Sequence, residues 1–312
     1  MSQPPLISVV MPLYNMRAYI KATMDCILGQ TFGDFEFLIV EGGSTDGTAE
    51  IVASYADPRV RVVPFPPAAG MFEWFVGAIN TGLAMARGEF IARMDVDDFS
   101  LPTRFERQVA AFRQHPDLVL LGCGADYTTD AGAIYRRHHS GEILWSRREG
   151  DVILVPPIMH GSAMYRRSAV EKAGPYRSFF QKTEDQDMWL RLAETGRVGV
   201  LDEPLFLYRL NAMSITARLP VRGDKYWETA RAFSRERLRT GSDPLQRGET
   251  VAEFPLASRT YQKWMVCVRN ASIQSVERRR VKALGYAIHA ALLRPFAQGS
   301  WTTIARSILR RW

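Results

Sequence analysis

The sequence has little cysteine. Its three cysteines, Cys26, Cys123 and Cys267, are odd in number, lie far apart and form no CxxC pair. Disulfide frameworks and zinc sites need paired or closely spaced cysteines, so neither is expected. Widely spaced free thiols are typical of a reducing compartment, which favours a cytoplasmic location.

Long apolar runs are also missing. No uninterrupted hydrophobic stretch approaches the roughly 20 residues that a membrane-spanning helix needs. The polar start Met1-Ser-Gln-Pro-Pro5 leads straight into an apolar run, so no signal peptide is expected. The sequence shows no internal repeat or low-complexity tract, and its 312 residues, 46% hydrophobic and 23% charged, are typical of a soluble globular protein.

The net charge of +7 is unevenly distributed along the chain. Residues 1–217 carry 21 Lys and Arg against 26 Asp and Glu, a net −5, whereas residues 218–312 carry 19 against 7, a net +12. We therefore predict one domain over 1–217 and a basic extension over 218–312. A basic segment of this kind contacts nucleic acid, an anionic membrane or an anionic substrate, or is simply a solvated helical face.

Apolar runs and helical patterns alternate along the first part of the chain. The runs at 6–11, 35–40, 60–63 and 90–94 predict buried strands, and helical patterns follow the first three. This alternation predicts an α/β fold with a mainly parallel central sheet and helices on both faces. The basic extension predicts helices over 226–238, 256–272 and 276–293, and a last segment over 301–312.

Three carboxylates, Asp95, Asp97 and Asp98, follow the fourth predicted strand. The carboxyl end of a strand in an open α/β sheet borders the crevice where ligands bind. Carboxylates this close together repel one another, and a hard divalent cation is an economical partner for them. We predict that Asp95 and Asp97 hold Mg²⁺ or Mn²⁺ against a diphosphate. Alternatively, the pair is a solvated loop feature, and Asp98 and Ser100 cap the next helix.

The loop from Glu41 to Thr48 combines two glycines with Ser, Thr and Asp. Gly42 and Gly43 let the backbone approach a ligand closely, and the polar residues cap the following helix, whose N-terminal amides favour anions. The loop has neither the GxGxxG nor the GxxxxGK fingerprint, so the dinucleotide and P-loop interpretations are not favoured. A capped loop without any ligand explains the pattern equally well.

Five short motifs occur in order along residues 6–215. They are Val9-Val-Met-Pro-Leu-Tyr-Asn15, Gln30-Thr-Phe32, Ser44-Thr-Asp-Gly-Thr48, Ala86-Arg-Gly88 and Met94-Asp-Val-Asp-Asp98. In this order and spacing they resemble the motifs of family two glycosyltransferases, which have the GT-A fold. The resemblance implies an inverting enzyme that uses a nucleotide-diphosphate sugar and a divalent metal.

The same resemblance implies where the donor lies. Residues expected to face the nucleoside are Pro12, Tyr14, Asn15 and Glu41, and those expected to frame ribose, diphosphate and metal are Asp95, Val96 and Asp97. The family usually reads Asp-Asp-Gly-Ser where this chain has Glu41-Gly-Gly-Ser44. The first acid is therefore one methylene longer and the second is absent. Glu41 can still accept a hydrogen bond from a base N–H, but the loop must shift to make room.

Further polar residues are candidates for the acceptor side. His160 lies in a strand predicted over 160–165 and is expected to contact metal, diphosphate or acceptor, although a lone histidine is more often structural. Glu184, Asp185 and Asp187 fall in the first turn of a predicted helix, where the macrodipole favours negative charge and lowers carboxyl pKa values. The family resemblance makes Asp185 the general base. Glu184 then becomes an acceptor-binding or supporting group.

The end of the predicted transferase domain offers weaker candidates. Arg209, Asn211 and Ser214 are expected to touch diphosphate or acceptor, with a carboxylate partner for Arg209 as the alternative. In the segment 301–312, Arg306, Arg310 and Arg311 lie beside an apolar face made of Ile304, Ile308, Leu309 and Trp312. That pattern is typical of a basic amphipathic helix at a membrane surface, and a helix packed on the domain is the alternative.

The sequence thus predicts a cytoplasmic, metal-assisted, inverting glycosyltransferase. Its expected donor is a nucleotide-diphosphate sugar with UDP as the nucleotide, and its expected acceptor is a glycan or a lipid-linked hydroxyl in cell-surface polysaccharide synthesis. We expect no nucleic-acid partner, and peripheral contact of the basic segment with the inner face of the plasma membrane. The alternatives are a nucleotide-binding module without turnover and a nucleotidyltransferase, which would need a basic Gly-rich loop near the first strand.

Overall fold

A computed structural model describes residues 3–66, 70–210, 223–255, 258–277 and 279–294. The candidates Asn211 and Ser214 and the segment 301–312 lie outside the described residues. The chain divides into two compact units, the first made of Met1–Ala125, His139–Phe206 and Gly223–Ala252, and the second of Asp126–His138, Leu207–Arg222 and Glu253–Trp312. The boundary expected after residue 217 stays a prediction, and residues 223–252 group with the first unit.

Four parallel strands form one half of the main sheet. They are β1 (Ile7–Leu13), β2 (Phe35–Glu41), β3 (Val60–Pro64) and β4 (Phe90–Arg93), in the spatial order β3-β2-β1-β4. The connecting helices are α1 (Ile20–Leu28), α2 (Thr48–Ala53) and α3 (Met71–Met85). β1, β2 and β4 are buried almost throughout, because continuous apolar runs suit strands that are covered on both faces.

The other half of the sheet is antiparallel. Its strands are β5 (Phe99–Ser100), β6 (Leu118–Thr129), β7 (Ile134–Tyr135), β8 (Ile143–Trp145), β11 (Met164–Arg166) and β12 (Arg197–Leu210). Helix α4 (Arg104–Gln114) lies between β5 and β6 in the sequence. β11 runs antiparallel to both β4 and β6. Within the described residues the sheet has ten strands, along the path β3-β2-β1-β4-β11-β6-β12-β5 with β7 and β8 beside it.

The α/β class is therefore confirmed, and the sheet is mixed. Parallel pairing holds from β1 to β4, where helices connect the strands, and antiparallel pairing begins with β11. Two short strands, β9 (Arg147–Glu149) and β10 (Val152–Leu154), pair separately. The first unit also contains α5 (Arg167–Ala173), α6 (Glu184–Ala193) and α7 (Gly223–Thr240).

Two helices, α8 (Arg259–Val276) and α9 (Arg280–Leu293), pack against each other in the second unit. The side chains between them are small: Ala271, Ala283, Ala287 and Ala290 are fully buried. Small residues let two helix backbones approach closely. The predicted helical extension is thus present, and across the described part of the chain no helix is long and apolar enough to cross a membrane.

A buried ionic network joins α6 to α7. Asp187 on α6 accepts hydrogen bonds from Arg177 at 2.9 Å and from Arg191 at 3.0 Å. Asp243, which follows α7, accepts one from Arg177 at 2.7 Å and another from Arg237. Both carboxylates are fully buried, and burial alone would raise the pKa of Asp243, but its hydrogen bonds outweigh burial and hold that pKa below the ordinary value. The paired charges therefore fix α6 in place.

Asp243→Ala should lower the free energy of unfolding by about 3–5 kcal/mol, because it leaves two buried guanidinium groups without one of their partners. Urea unfolding followed by circular dichroism measures this change. Glu249→Ala is the matched control, since Glu249 is 53% exposed in its pair with Arg247, and it should cost at most about 1 kcal/mol. Equal effects of the two substitutions would contradict a structural role for the network.

Candidate active site

The carboxyl ends of β1, β2 and β4 meet at one edge of the sheet. Leu13 at the end of β1 pairs with Glu41 at the end of β2, and β4 lies on the other side of β1. Pro12 is buried within β1, and the loops that begin at Tyr14, Gly42 and Asp95 leave the sheet side by side. This is the edge at which ligands bind in open α/β sheets.

Asn15 is hydrogen-bonded to the loop that follows β2. Its backbone N–H donates to Ser44 Oγ at 2.9 Å, and its side-chain Oδ1 accepts from the Thr45 N–H at 2.8 Å. Asn15 has a φ of 51°, a left-handed conformation that asparagine tolerates better than most residues. The next amide, that of Met16, donates to Thr48 Oγ1 at 2.9 Å. The first and third of the five motifs are therefore hydrogen-bonded to each other.

The Glu41 carboxylate organises its own loop. Its Oε2 accepts from the Gly43 N–H at 2.8 Å, and its Oε1 accepts from the Ser44 N–H at 2.7 Å. A carboxylate oxygen has more than one lone pair, so these bonds leave acceptor capacity for a nucleobase N–H. The longer side chain of glutamate thus turns back onto the backbone amides after it.

Trp74 on α3 explains the glycine at position 42. A Cβ atom on Gly42 would lie 2.5 Å from Trp74 Cζ2 and 2.6 Å from Trp74 Nε1. The indole is buried, and the Tyr14 ring lies against it with 5.6 Å between ring centroids. The place of the second acid in the usual family pattern is therefore taken by an aromatic ring, a contact that no local sequence signal reveals.

A buried arginine holds Asp95. Arg93 Nη2 donates to Asp95 Oδ1 at 2.7 Å, and Arg93 Nη1 donates to the Met94 carbonyl. The Arg93 side chain is only 2% exposed. We expected a divalent cation to offset the crowded carboxylates, whereas the described structure places a guanidinium beside Asp95. The apolar pattern of the strand does not reveal this role, because Arg93 interrupts the pattern.

A second buried arginine supports the first. Arg104 on α4 is fully buried, and its Nη2 donates to the carbonyls of Arg93 at 2.9 Å and Ala163 at 3.3 Å. Its Nε donates to Gln108 Oε1 at 3.1 Å. Burial lowers the pKa of Arg104 from its usual value, yet such a guanidinium remains charged. Two positive charges therefore lie beneath the carboxylates at the end of β4.

The residues after Asp95 differ in exposure. Val96 is buried, and its carbonyl accepts a hydrogen bond from Thr23 Oγ1. This bond fixes the Val96 backbone near the cleft. Asp97 is partly exposed and Asp98 is buried. α4 begins after Thr103, so neither Asp98 nor Ser100 is its N-cap residue and that alternative is wrong.

The carboxylates present fit a metal ion only if substrate phosphates supply further ligands. Asp95 and Asp97 supply hard carboxylate oxygens, but across the described ranges no group of three or more His, Cys, Asp or Glu side chains is arranged to hold a metal. Mg²⁺ typically keeps waters and binds one or two carboxylates together with substrate phosphates. The residues present match that kind of site and do not match an all-protein cage.

Glu184 and Asp185 lie in the first turn of α6, where a helix was predicted. Burial raises the pKa of Asp185 to about 6, although hydrogen bonds from backbone amides, including that of Gln186, oppose the shift. We expected a low pKa from the helix N-terminus, and that expectation is wrong because desolvation outweighs the helix dipole here. Burial also raises the pKa of Glu184 well above its ordinary value, and the charge of Asp185 raises it further. Glu184 Oε2 is buried and finds no hydrogen-bond partner among the residues that the structure describes.

His160 belongs to a buried polar cluster beside these acids. Its Nε2 lies 3.0 Å from Tyr176 Oη, and its Nδ1 lies 3.9 Å from Glu184 Oε1. Tyr176 Oη is in turn 2.5 Å from Tyr165 Oη. Burial lowers the pKa of His160 well below its usual value, so the ring is neutral. The structural interpretation of this histidine, which the sequence left open, agrees with these contacts.

Gly161 brings the two halves of the site together. A Cβ atom here would lie 3.0 Å from Asp95 Oδ2, so the turn after His160 packs directly on the Asp95 carboxylate. His160–Ser162 is a 3-10 helix, and the strand predicted over 160–165 begins only at Met164. The Asp95 charge also raises the pKa values of both Asp185 and Glu184. The metal candidate Asp95 and the base candidate Asp185 therefore share one site.

Arg209 is engaged elsewhere. Its Nη1 lies 3.3 Å from Asp130 Oδ1 and 3.5 Å from the Thr129 carbonyl. All three residues belong to the second unit. The described structure thus shows the carboxylate partner that was the alternative for this arginine, although that carboxylate is exposed rather than part of a core.

Gly42→Ala should lower the free energy of unfolding by about 1–3 kcal/mol, because the added methyl must displace the Trp74 indole or the loop. Gly33→Ala is the control, since no atom of the described residues lies within 4 Å of a Cβ there, and it should change stability by no more than about 0.5 kcal/mol. Urea unfolding measures both. If Gly42→Ala costs as little as the control, the indole does not fill this place.

Comparison with known proteins agrees with this geometry. Residues 8–174, more than half of the chain, match the family model described as glycosyl transferase family 2. The putative glycosyltransferase EpsE of Bacillus subtilis is 32% identical over 67% of this chain and 74% of its own length. The O-antigen biosynthesis glycosyltransferase WbnJ of Escherichia coli is 29% identical over 67% of this chain and 81% of its own.

A solved structure agrees at the level of the fold. Staphylococcus aureus TarS 1–349 in complex with UDP-GlcNAc superposes with a TM-score of 0.57 at 15% identity, covering 96% of this chain and 90% of that one. With the motifs, the family match and the EpsE likeness together, this chain belongs to glycosyl transferase family 2 and is a glycosyltransferase.

Proposed function

We propose that this glycosyltransferase moves a sugar from UDP to a glycan or lipid-linked hydroxyl with inversion at the anomeric carbon. The observation that carries the proposal is the packing of Gly161 on Asp95, beside the Glu184–Asp185 pair. A carboxylate suited to a metal–diphosphate and a carboxylate suited to a base then lie in one site. The TarS structure solved with UDP-GlcNAc supports a UDP-sugar as the donor.

The donor side uses the loops at the carboxyl ends of β1, β2 and β4. Tyr14, Asn15 and Glu41 would face the nucleoside, with Pro12 fixing the end of β1. Asp97, with Asp95, would hold Mg²⁺ or Mn²⁺, which supplies Lewis-acid stabilisation of the leaving diphosphate. The buried charges of Arg93 and Arg104 add positive potential on the same side.

Asp185 is the proposed general base. The acceptor hydroxyl oxygen attacks the anomeric carbon and its proton passes to the Asp185 carboxylate, while the bond from that carbon to the diphosphate breaks and the nucleoside diphosphate leaves with the electron pair. A base with a pKa of about 6 is ionised at neutral pH and is a stronger proton acceptor than an ordinary aspartate. Burial raises the pKa of the neighbouring Glu184 well above its ordinary value, which disfavours a second negative charge beside the base. Glu184 is the proposed acceptor-binding group.

The acceptor class and the location follow from weaker support. WbnJ carries O-antigen biosynthesis in its name, which supports a role in cell-surface polysaccharide synthesis. We keep the cytoplasmic location and the membrane contact of the basic segment as proposals that rest on cysteine usage and on charge distribution. In this proposal His160 supports Glu184 and Asp185 through its contact with Glu184, and it does not itself bind a ligand.

Isothermal titration with UDP, GDP, CDP and dTDP, with and without Mn²⁺, tests the donor site. UDP should bind best and only with metal, and Asp97→Ala should weaken that binding by about tenfold or more, because a carboxylate that shares the metal is lost. Asp34→Ala, an exposed aspartate before β2, is the matched control and should bind like wild type. Binding of no nucleotide would favour a module without a working donor site, and equal, metal-free binding of all four would contradict the proposed recognition.

The rate of the reaction should fall at low pH, an acid limb in the pH profile, because Asp185 becomes protonated there. The group must be ionised to accept a proton, so the rate of UDP release from UDP-sugar should rise with pH through about 6 and then level off. Asp185→Asn should lower this rate by about 10²–10⁴-fold while nucleotide affinity is kept. An unchanged rate in this variant would show that another group is the base.

Two controls separate chemistry from folding. Glu184→Gln keeps the size of the side chain and removes its carboxyl group, so the acid limb should remain if it belongs to Asp185. Because the folded pKa of Asp185 lies above its unfolded value, its ionisation costs stability as pH rises from about 4 to 6. Asp185→Asn should therefore melt at the same temperature as wild type or higher at pH 8, by scanning calorimetry.

A further inference from the structure

Helix α9 exposes an apolar stripe. Val281 is 87% exposed, Leu292 is 78% exposed and Ile288 is 47% exposed. At 3.6 residues per turn, these positions and Gly285 fall on one side of the helix. The opposite side carries the alanines that pack against α8. Large apolar side chains this exposed, aligned along one helix face, usually mark a surface that another body covers.

The surroundings of the stripe are basic. Residues 258–294 contain eight Lys and Arg against one acid, Glu277. Lys282 is exposed next to Val281 on α9. Since like charges repel, a second copy of the same face would be a poor partner, and an anionic surface would be a good one.

Aromatic rings stand at the Leu292 end of the stripe. The guanidinium carbon of Arg294 lies 4.9 Å from the ring centroid of Tyr261 and 4.9 Å from that of Trp264, both on α8. Tyr and Trp rings with a neighbouring arginine are typical of the boundary between water and lipid, where an apolar body and a polar edge are both satisfied. Charge, stripe and rings therefore point to the same kind of partner.

We propose that the outer face of α9, made of Val281, Lys282, Gly285, Ile288 and Leu292, docks onto the surface of an anionic lipid bilayer. The helix would lie in the plane of the interface, with the stripe among the lipid headgroups and upper acyl chains and the basic residues on anionic headgroups. The proposal uses only residues of the second unit. It rests on the membrane contact proposed above for the basic segment and assigns that contact to one helix face, and it does not depend on the sugar-transfer reaction.

Co-sedimentation of the full-length protein with vesicles tests this surface. The protein should bind vesicles of phosphatidylcholine mixed with phosphatidylglycerol, bind phosphatidylcholine alone weakly, and bind less as salt increases. Val281→Asp with Leu292→Asp should lower the partition coefficient by about tenfold or more, because each large apolar side chain moved into lipid is worth roughly a factor of ten. The matched control is Val62→Asp with Leu144→Asp, which alters exposed apolar residues of the first unit and should bind like wild type.

Three outcomes would overturn the proposal. Wild type that stays in the supernatant with both kinds of vesicle would exclude a membrane partner. Binding that survives Val281→Asp with Leu292→Asp would assign the contact to another part of the chain. A dimer in light scattering that the same variant dissociates, without vesicle binding, would make the face a contact between copies. Far-UV circular dichroism and UDP release should match wild type in every variant, which separates this test from that of the reaction.

Discussion

The pairing of Arg93 with Asp95 is the constraint on which the site depends. A buried guanidinium is costly unless its charge is paired and its N–H groups are hydrogen-bonded. Here one carboxylate oxygen and one carbonyl accept from the two Nη atoms of Arg93, whereas its buried Nε has no partner among the described residues. Arg104 holds β4 to the residue before β11, because its Nη2 donates to the carbonyls of Arg93 and Ala163. The end of β4 is therefore rigid, and the Asp95 carboxylate is held at the point where the turn after His160 packs on it.

Burial, more than any single charge, sets the chemistry of the acid pair. A helix N-terminus favours the ionised form of Asp185, whereas removal from water favours the protonated form, and the second effect is larger. The result is a carboxylate whose pKa of about 6 lies closer to neutral pH than that of a solvated aspartate. As the proposed base, it would combine ionisation at pH 7 with useful proton affinity. Burial also raises the pKa of its neighbour Glu184 well above the ordinary value.

Much of the fold could be predicted from the sequence, because β1 to β4 are continuous apolar runs followed by loops with strong turn and capping residues. The carboxylates of the site were also predicted, since Asp95 and Asp97 follow β4 and Asp185 opens α6. What sequence reasoning missed depends on contacts between distant residues. Trp74 excludes a side chain at Gly42 across 32 positions, and the sign of the Asp185 pKa shift depends on how deeply α6 is packed. A strand was predicted over 160–165, but its antiparallel pairing with β4 and β6 was missed, because that pairing also joins residues far apart in the chain.

Two acids in the first turn of α6, Asp185 and Asp187, lie in different environments. Asp185 and Asp187 are two positions apart, which places them about 200° apart around the helix. Asp187 points into the ionic network and is fully matched by Arg177 and Arg191, so its charge fastens the helix. Asp185 is on the other side, next to Glu184 and under the influence of Asp95. The free energy that the network supplies can therefore offset the cost of keeping a poorly solvated carboxylate at the site. The position of the proposed base, Asp185, thus depends on the anchored Asp187.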